Sequence, residues 1–151
     1  MDKSNRRILF DQDKLDAYNM ARAFTREVES LMKRVPRGYA EQLDQLRRAS
    51  LSITLNTAEG AGEFAPKEKA RFYRIARRSG TEAAAVLDSF VDRGLLEELD
   101  IEGARAILHR VVGALTRLVQ SCDPDWTRAR RAAAAAPTRS RQPYSSSTSD
   151  P

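Results

Sequence analysis

The stretch DKLDAYNMARAFTREVESLMKRV, residues 13–35, decides the fold. Its apolar residues Ala17, Ala21, Phe24, Val28, Leu31 and Val35 recur at alternating spacings of four and three. That alternation lays one seam along one face of a helix and turns it toward a partner helix. Leu15, Tyr18 and Met32 widen the stripe. Pro36 and Gly38 then stop the helix, because proline lacks an amide donor and restricts the residue before it.

Three more segments carry the same signal. The second runs from about Tyr39 to Ala58, with Leu43, Leu46, Ser50, Ile53 and Thr57 on a smaller, more polar seam. Gly60-Ala61-Gly62 is expected to end it, glycine being free to take the left-handed cap conformation. The third opens at Pro66, a favoured first helical residue, with Glu68 in its first turn. Its expected stripe is Phe72, Ile75, Ser79, Glu82, Val86 and Phe90, flanked by Ala76, Ala83 and Leu87, and it closes at Arg93-Gly94. Gly80, inside it, costs about 1 kcal/mol relative to alanine and points to close packing there. The fourth is expected to start after Asp100 as N-cap, with Ile101, Ala104, Leu108, Val111, Leu115, Leu118 and Cys122 on its seam. Short links between long helices force neighbours to run antiparallel. The fold expected is therefore all-α, an up-down-up-down four-helix bundle over residues 1–122. Ile107, Val112 and Val119 add a second apolar flank to the fourth helix, more apolar surface than one protomer must hide.

After Cys122 the composition changes to alanine, arginine, serine and proline, and residues 123–151 read as a disordered basic tail in which 126–136 can extend as a short helix. The tail holds five arginines (Arg128, Arg130, Arg131, Arg139, Arg141) against three aspartates (Asp123, Asp125, Asp150). It is read first as a solubilising appendage and second as a grip on phosphate.

The whole chain of 151 residues carries a net charge of +5, a surplus that favours anionic partners such as nucleic acid. No run approaches the roughly 18 apolar residues a membrane span needs. The N-terminal MDKSNRR lacks a following apolar region, which argues against a secretory signal, and a lone cysteine cannot form an internal disulfide framework. Together these place the chain in the cytoplasm, away from membranes.

Catalytic constellations are sparse. The one histidine, His109, cannot supply the two Glu-x-x-His motifs of a di-iron bundle, and zinc-ligand spacing is absent, so no cofactor or metal is expected. Arg105 and His109, four residues apart, share a helix face in a weak echo of small helical HEPN-type ribonucleases. The bland reading of that pair is two surface side chains. Arg48, Ser52, Asn56 and Glu59 fall on one face of the second helix, and Glu82 interrupts the third helix's stripe. A carboxylate in a seam costs several kcal/mol unless it is paired. Arg47 or Arg48 is thus expected to meet Glu82 or Glu59, bridged by Asn56. Such a network fixes helix register or subunit contact; its alternative is a polar ligand pocket.

The run Leu46-Arg47-Arg48-Ala49-Ser50-Leu51-Ser52-Ile53 through Asn56-Thr57-Ala58-Glu59-Gly60-Ala61-Gly62, followed by Glu68, Arg71-Phe72-Tyr73-Arg74-Ile75-Ala76-Arg77, Ser79 and Glu82, resembles the four-helix-bundle proteins encoded in bacterial ribosomal-RNA intervening sequences. The similarity spans roughly Leu15 to Val119. It implies an up-and-down bundle assembled as a ring-like homopentamer, in a family without an established enzymatic activity. A group similar in fold, the accessory variability determinants of diversity-generating retroelements, partners a reverse transcriptase and nucleic acid. The chain departs from the family pattern at Thr57, Glu63, Ala65 and Arg78, where isoleucine, arginine, serine and glycine are common. Losing a basic residue at Glu63 weakens any nucleic-acid contact centred on that loop.

The leading expectation is a non-catalytic, self-assembling bundle that engages RNA, DNA or a nucleic-acid enzyme such as a reverse transcriptase. The candidate contacts are Arg71, Arg74, Arg77, Arg78, Arg128, Arg130 and Arg131. Its alternatives are a protein-interaction scaffold without nucleic-acid binding and, behind that, a small helical ribonuclease. No small-molecule substrate is expected.

Overall fold

A computed structural model of the protein describes residues 10–135. A single 3-10 turn, Asp11–Lys14, precedes α1 (Asp16–Met32), α2 (Ala40–Gly62), α3 (Pro66–Asp92), α4 (Glu98–Cys122) and α5 (Pro124–Ala135), and the described residues contain no strand. The four long helices form the antiparallel bundle the periodicities predict. Each packs against its chain neighbours, and α1 closes the square against α4.

The core is built from the seams. Phe24 and Val28 of α1, Leu46 and Ile53 of α2, Leu87 and Phe90 of α3, and Ile101, Val111, Leu115 and Val119 of α4 are all buried. Each large apolar side chain removed from water contributes about 1.5–3 kcal/mol. The links turn on two glycines with positive φ, Gly38 at 104° and Gly94 at 68°. α4 begins two residues before the expected Asp100 cap: Asp100 instead sits in the first turn, where its carboxylate accepts the Glu97 amide at 2.9 Å and an Arg34 guanidinium at 2.5 Å.

Three expectations fail in whole or in part, each for a local reason. The third-helix stripe holds only in part: Ser79, Val86 and Phe90 are buried with the flanking Ala76, Ala83 and Leu87, but Tyr73 is buried where Phe72 and Ile75 are only half-buried, and Glu82 is exposed. Alanine and glycine are weak hydrophobic markers, so the bulkier flanking residues drew the reading outward. At Gly80 a Cβ would come within 2.8 Å of Val112 Cγ2, so α3 and α4 touch closely there, as the glycine suggested.

The Gly60-Ala61-Gly62 run does not cap α2 in a left-handed turn; the helix continues through Gly62 with ordinary φ. Gly60 is instead the floor on which the Tyr73 ring lies, with a hypothetical Cβ only 2.5 Å from Tyr73 Cε1. Burial pushes the Tyr73 hydroxyl up to about 12.

Of the second apolar flank expected on α4 little is left bare, although Leu99 in its first turn is 77% exposed. Val119 is fully buried, and Ile107 and Val112 pack against the core. The large exposed apolar residues include Leu51 and Leu55 on α2 (51% and 50% exposed) and Phe64 in the α2–α3 link (97%).

Beyond Cys122 the short helix allowed over 126–136 is present as α5, Pro124–Ala135, packed on α4, so the first part of the expected tail is ordered. Asp123 Oδ1 accepts the Trp126 amide at 3.2 Å, Pro124 opens the first turn, and an arginine–alanine sequence of high helix propensity follows. The disorder expected for 136–151 falls outside the described residues.

Candidate nucleic-acid interface

The polar network expected between Arg47, Arg48, Asn56, Glu59 and Glu82 is not formed. Arg47 pairs with Glu29 of α1 at 3.2 Å, Arg48 with Asp44 one turn away at 2.8 Å, and Glu82 accepts Gln45 at 3.3 Å on the surface. Glu59 is exposed. Glu82 faces water, so it needs no buried counter-ion. Asn56 turns back on its own helix, donating to the Ser52 carbonyl at 2.9 Å and Ser52 Oγ at 3.2 Å.

Hydroxyls do the expected registering. Thr25 of α1 bonds Ser50 of α2 at 2.9 Å, and Ser52 of α2 bonds Ser79 of α3 at 2.8 Å. Buried Thr57 donates to the Ile53 carbonyl at 2.6 Å. The sequence signal was the polar seam of α2, read correctly as unusual but assigned to the wrong partners.

The charged side chains divide by position along the bundle. The first half of α3 holds Lys67, Lys69, Arg71, Arg74, Arg77 and Arg78 against Glu68 alone; its second half holds Glu82, Asp88 and Asp92 and no cation. α4 runs the other way, from Glu98, Asp100 and Glu102 to Arg105, His109, Arg110 and Arg117. Because the two helices are antiparallel, their basic halves lie at the same end of the bundle, and α5 adds Arg128, Arg130 and Arg131 there. Cations near a helix N-terminus oppose the macrodipole, at a cost of about 0.3–1 kcal/mol each, so the basic start of α3 does not serve that helix. Lys69 is partly accounted for: its Nζ donates to the Ala61 carbonyl near the end of α2 at 3.3 Å.

The candidate arginines fall into two groups. Arg74 and Arg77 are half-buried and tie α5 to the bundle. Arg74 pairs with Asp123 at 2.9 Å; Arg77 donates through Nε to Thr116 at 3.2 Å, and its guanidinium carbon lies 5.9 Å from the centre of the Trp126 ring. Desolvation first, and Arg130 second, lower the Arg77 pKa from its ordinary value. These two are thus structural ties as much as free cations. Arg71, Arg78, Arg128 and Arg131 are exposed; Arg71 reaches Glu68 at 3.5 Å and Arg128 reaches Asp125 at 3.4 Å. Arg130 lies 5.2 Å from the Trp126 ring centre. Among the described residues Arg78, Arg110, Arg117, Arg130 and Arg131 form no ion pair. Asp123 and Trp126, which position α5, were not singled out in the sequence; an Asp-Pro step ahead of an alanine-rich run was the signal available.

Arg105 and His109 line the same shallow grooves beside α4. Arg105 is drawn across to Asp88 of α3, while His109 is exposed. No helix among the described residues is long and apolar enough to cross a membrane.

No curated protein matches the chain. A family model does, over residues 13–117, which takes in α1, α2, α3 and most of α4. With that match over a helical bundle of the expected topology, the chain belongs to the 23S rRNA-intervening sequence protein family.

Proposed function

We propose that the protein is a non-catalytic, self-associating helical bundle that binds nucleic acid, or an enzyme acting on nucleic acid such as a reverse transcriptase, through its basic end. The observation that carries this reading is the gathering of arginines, Arg78, Arg117, Arg130 and Arg131 among them outside any ion pair of the described residues, where the first half of α3, the second half of α4 and α5 meet. Their placement works against the α3 macrodipole, and an external polyanion is the natural counter-charge.

Phosphate contacts make such binding steeply salt-dependent. Four contacts, one for each of Arg71, Arg78, Arg128 and Arg131, give a log–log slope near −3.6 on duplex, or about 150-fold between 50 and 200 mM salt. Mobility shifts with structured RNA and duplex DNA at those two salts test it; no binding at the lower salt removes the reading. RNA cleavage that disappears in His109→Ala would overturn the non-catalytic part.

Self-association draws support from Leu51 and Leu55, one turn apart on the outer face of α2, and from Phe64 beyond its end. The ring of five that the family resemblance implies is one such assembly. The same exposed side chains favour a second reading, a scaffold that binds a protein partner and uses its charge for solubility. Salt-insensitive capture of a protein, with no affinity for RNA or DNA, would select it.

A further inference from the structure

Trp126 is the one tryptophan of the chain, and it sits partly buried where α5 folds back beside α4. It lines a shallow niche together with Gln120 of α4 and with Arg130, Arg131 and Ala134 of α5. Two guanidiniums converge on its ring, Arg77 at 5.9 Å and Arg130 at 5.2 Å from the centroid. The nearby carboxylates are already engaged, Asp123 by Arg74 and Asp125 by Arg128. Two like charges lie close to one ring, and among the described residues neither has an acidic partner. An anion placed there relieves the crowding that otherwise disfavours both charges.

The remaining groups around the niche point to more than an anion. Exposed Arg130 can turn from the ring to a phosphate beside Arg131, which uncovers a flat indole surface for a nucleobase, and the Gln120 amide can both donate to and accept from a base edge. We propose that this niche holds one unpaired nucleotide of a single-stranded nucleic acid, its phosphate between the α5 arginines and its base against Trp126. A duplex cannot use the site in this way, because its base faces are covered by their neighbours. The proposal rests on the nucleic-acid reading above and narrows it to unpaired strands. Gln120 and all of α5 lie beyond the family-model match at 13–117, while Arg77 lies within it.

The lone tryptophan is its own reporter. The full chain is titrated at low salt with a twelve-nucleotide oligouridylate, the matching oligothymidylate, a duplex of equal length and inorganic polyphosphate, following tryptophan emission. Either single strand should quench the emission, and the duplex and the polyphosphate should quench far less. Anisotropy of a labelled single strand should show Trp126→Leu and Arg131→Gln each weakening binding by about tenfold or more, with duplex affinity little changed. Arg131 is exposed and outside every ion pair given above, so R131Q leaves the helix packing in place even if W126L loosens α5. Duplex binding without quenching by either single strand overturns the niche and leaves the basic-end reading standing. Equal quenching by polyphosphate overturns the base-stacking half, and binding by none of the four overturns both proposals.

Discussion

Gly60→Ala is the sharpest test of how α2 and α3 meet. The added methyl would lie 2.5, 2.8 and 3.1 Å from Tyr73 Cε1, Cδ1 and Cζ, the first two closer than real Cβ atoms come and the third tight. The ring cannot swing away cheaply, since Tyr73 is 2% exposed and Ala76 and Ile53 are buried beside it in the same core. Overpacking of this kind costs about 1–3 kcal/mol, against which alanine recovers up to about 1 kcal/mol of helix propensity. The expected net loss is about 1–2 kcal/mol, or roughly 3–8 °C in Tm for a chain of this size. Gly62→Ala is the internal control: its Cβ would meet nothing within 4 Å, so it should be neutral or slightly stabilising. Urea and thermal unfolding of both variants, at one protein concentration so that association does not confound the comparison, give the numbers. If G60A matches or exceeds the wild type, the Tyr73 ring does not rest on that glycine and the α2–α3 packing described above is wrong.

Glu82→Gln should change stability by less than about 0.5 kcal/mol, because the side chain is exposed and its Gln45 contact survives as an amide pair; a loss of several kcal/mol in urea unfolding would restore the buried-carboxylate idea. Asp100 has its pKa held below 3.8, chiefly by the Glu97 amide and then by Arg34, so its stabilising contribution is complete above that value and lost as pH falls through the folded pKa. The stability gap between wild type and Asp100→Asn should therefore be constant near neutrality and close under acid; a gap that widens as pH falls contradicts the assignment. Leu51→Glu combined with Leu55→Glu should leave the fold intact by circular dichroism and shift the mass in light scattering toward the 16.9 kDa protomer; an unchanged assembly would place the contact on another face.

How much was legible depends on how loudly each residue speaks. α1 and α4 present Phe24, Val28, Leu31, Ile101, Leu108, Val111 and Leu115 at helical spacing, and their seams were readable directly. The α3 seam was legible only in part: Val86, Leu87 and Phe90 stand out, but buried Tyr73 sits beside the equally apolar Phe72 and Ile75, and Ala76, Gly80 and Ala83 contact their neighbours by being small, which leaves little hydropathy signal. That single slip carried the rest: with Glu82 assigned inward, Arg47 and Arg48 were assigned inward to meet it. The arginines are long enough to reach several carboxylates, and only the structure decides that Glu29 and Asp44 are the ones met. The basic cluster was visible as a list of arginines, but its gathering at one end depends on the antiparallel pairing of α3 with α4 and on the return of α5. The niche around Trp126 needed that return as well.

The reversal of charge along α3 has a consequence that net charge conceals. Its 27 residues span roughly 40 Å, several times the Debye length of about 8 Å at physiological ionic strength. Counter-ions in solution therefore insulate the two poles from each other. A ligand at the arginine pole interacts with a local potential far more positive than an average of +5 over the molecule implies, while Asp88, Asp92 and Glu98 at the far pole neither weaken that attraction nor share in it. The rod is electrically two objects, and only one of its ends attracts anions.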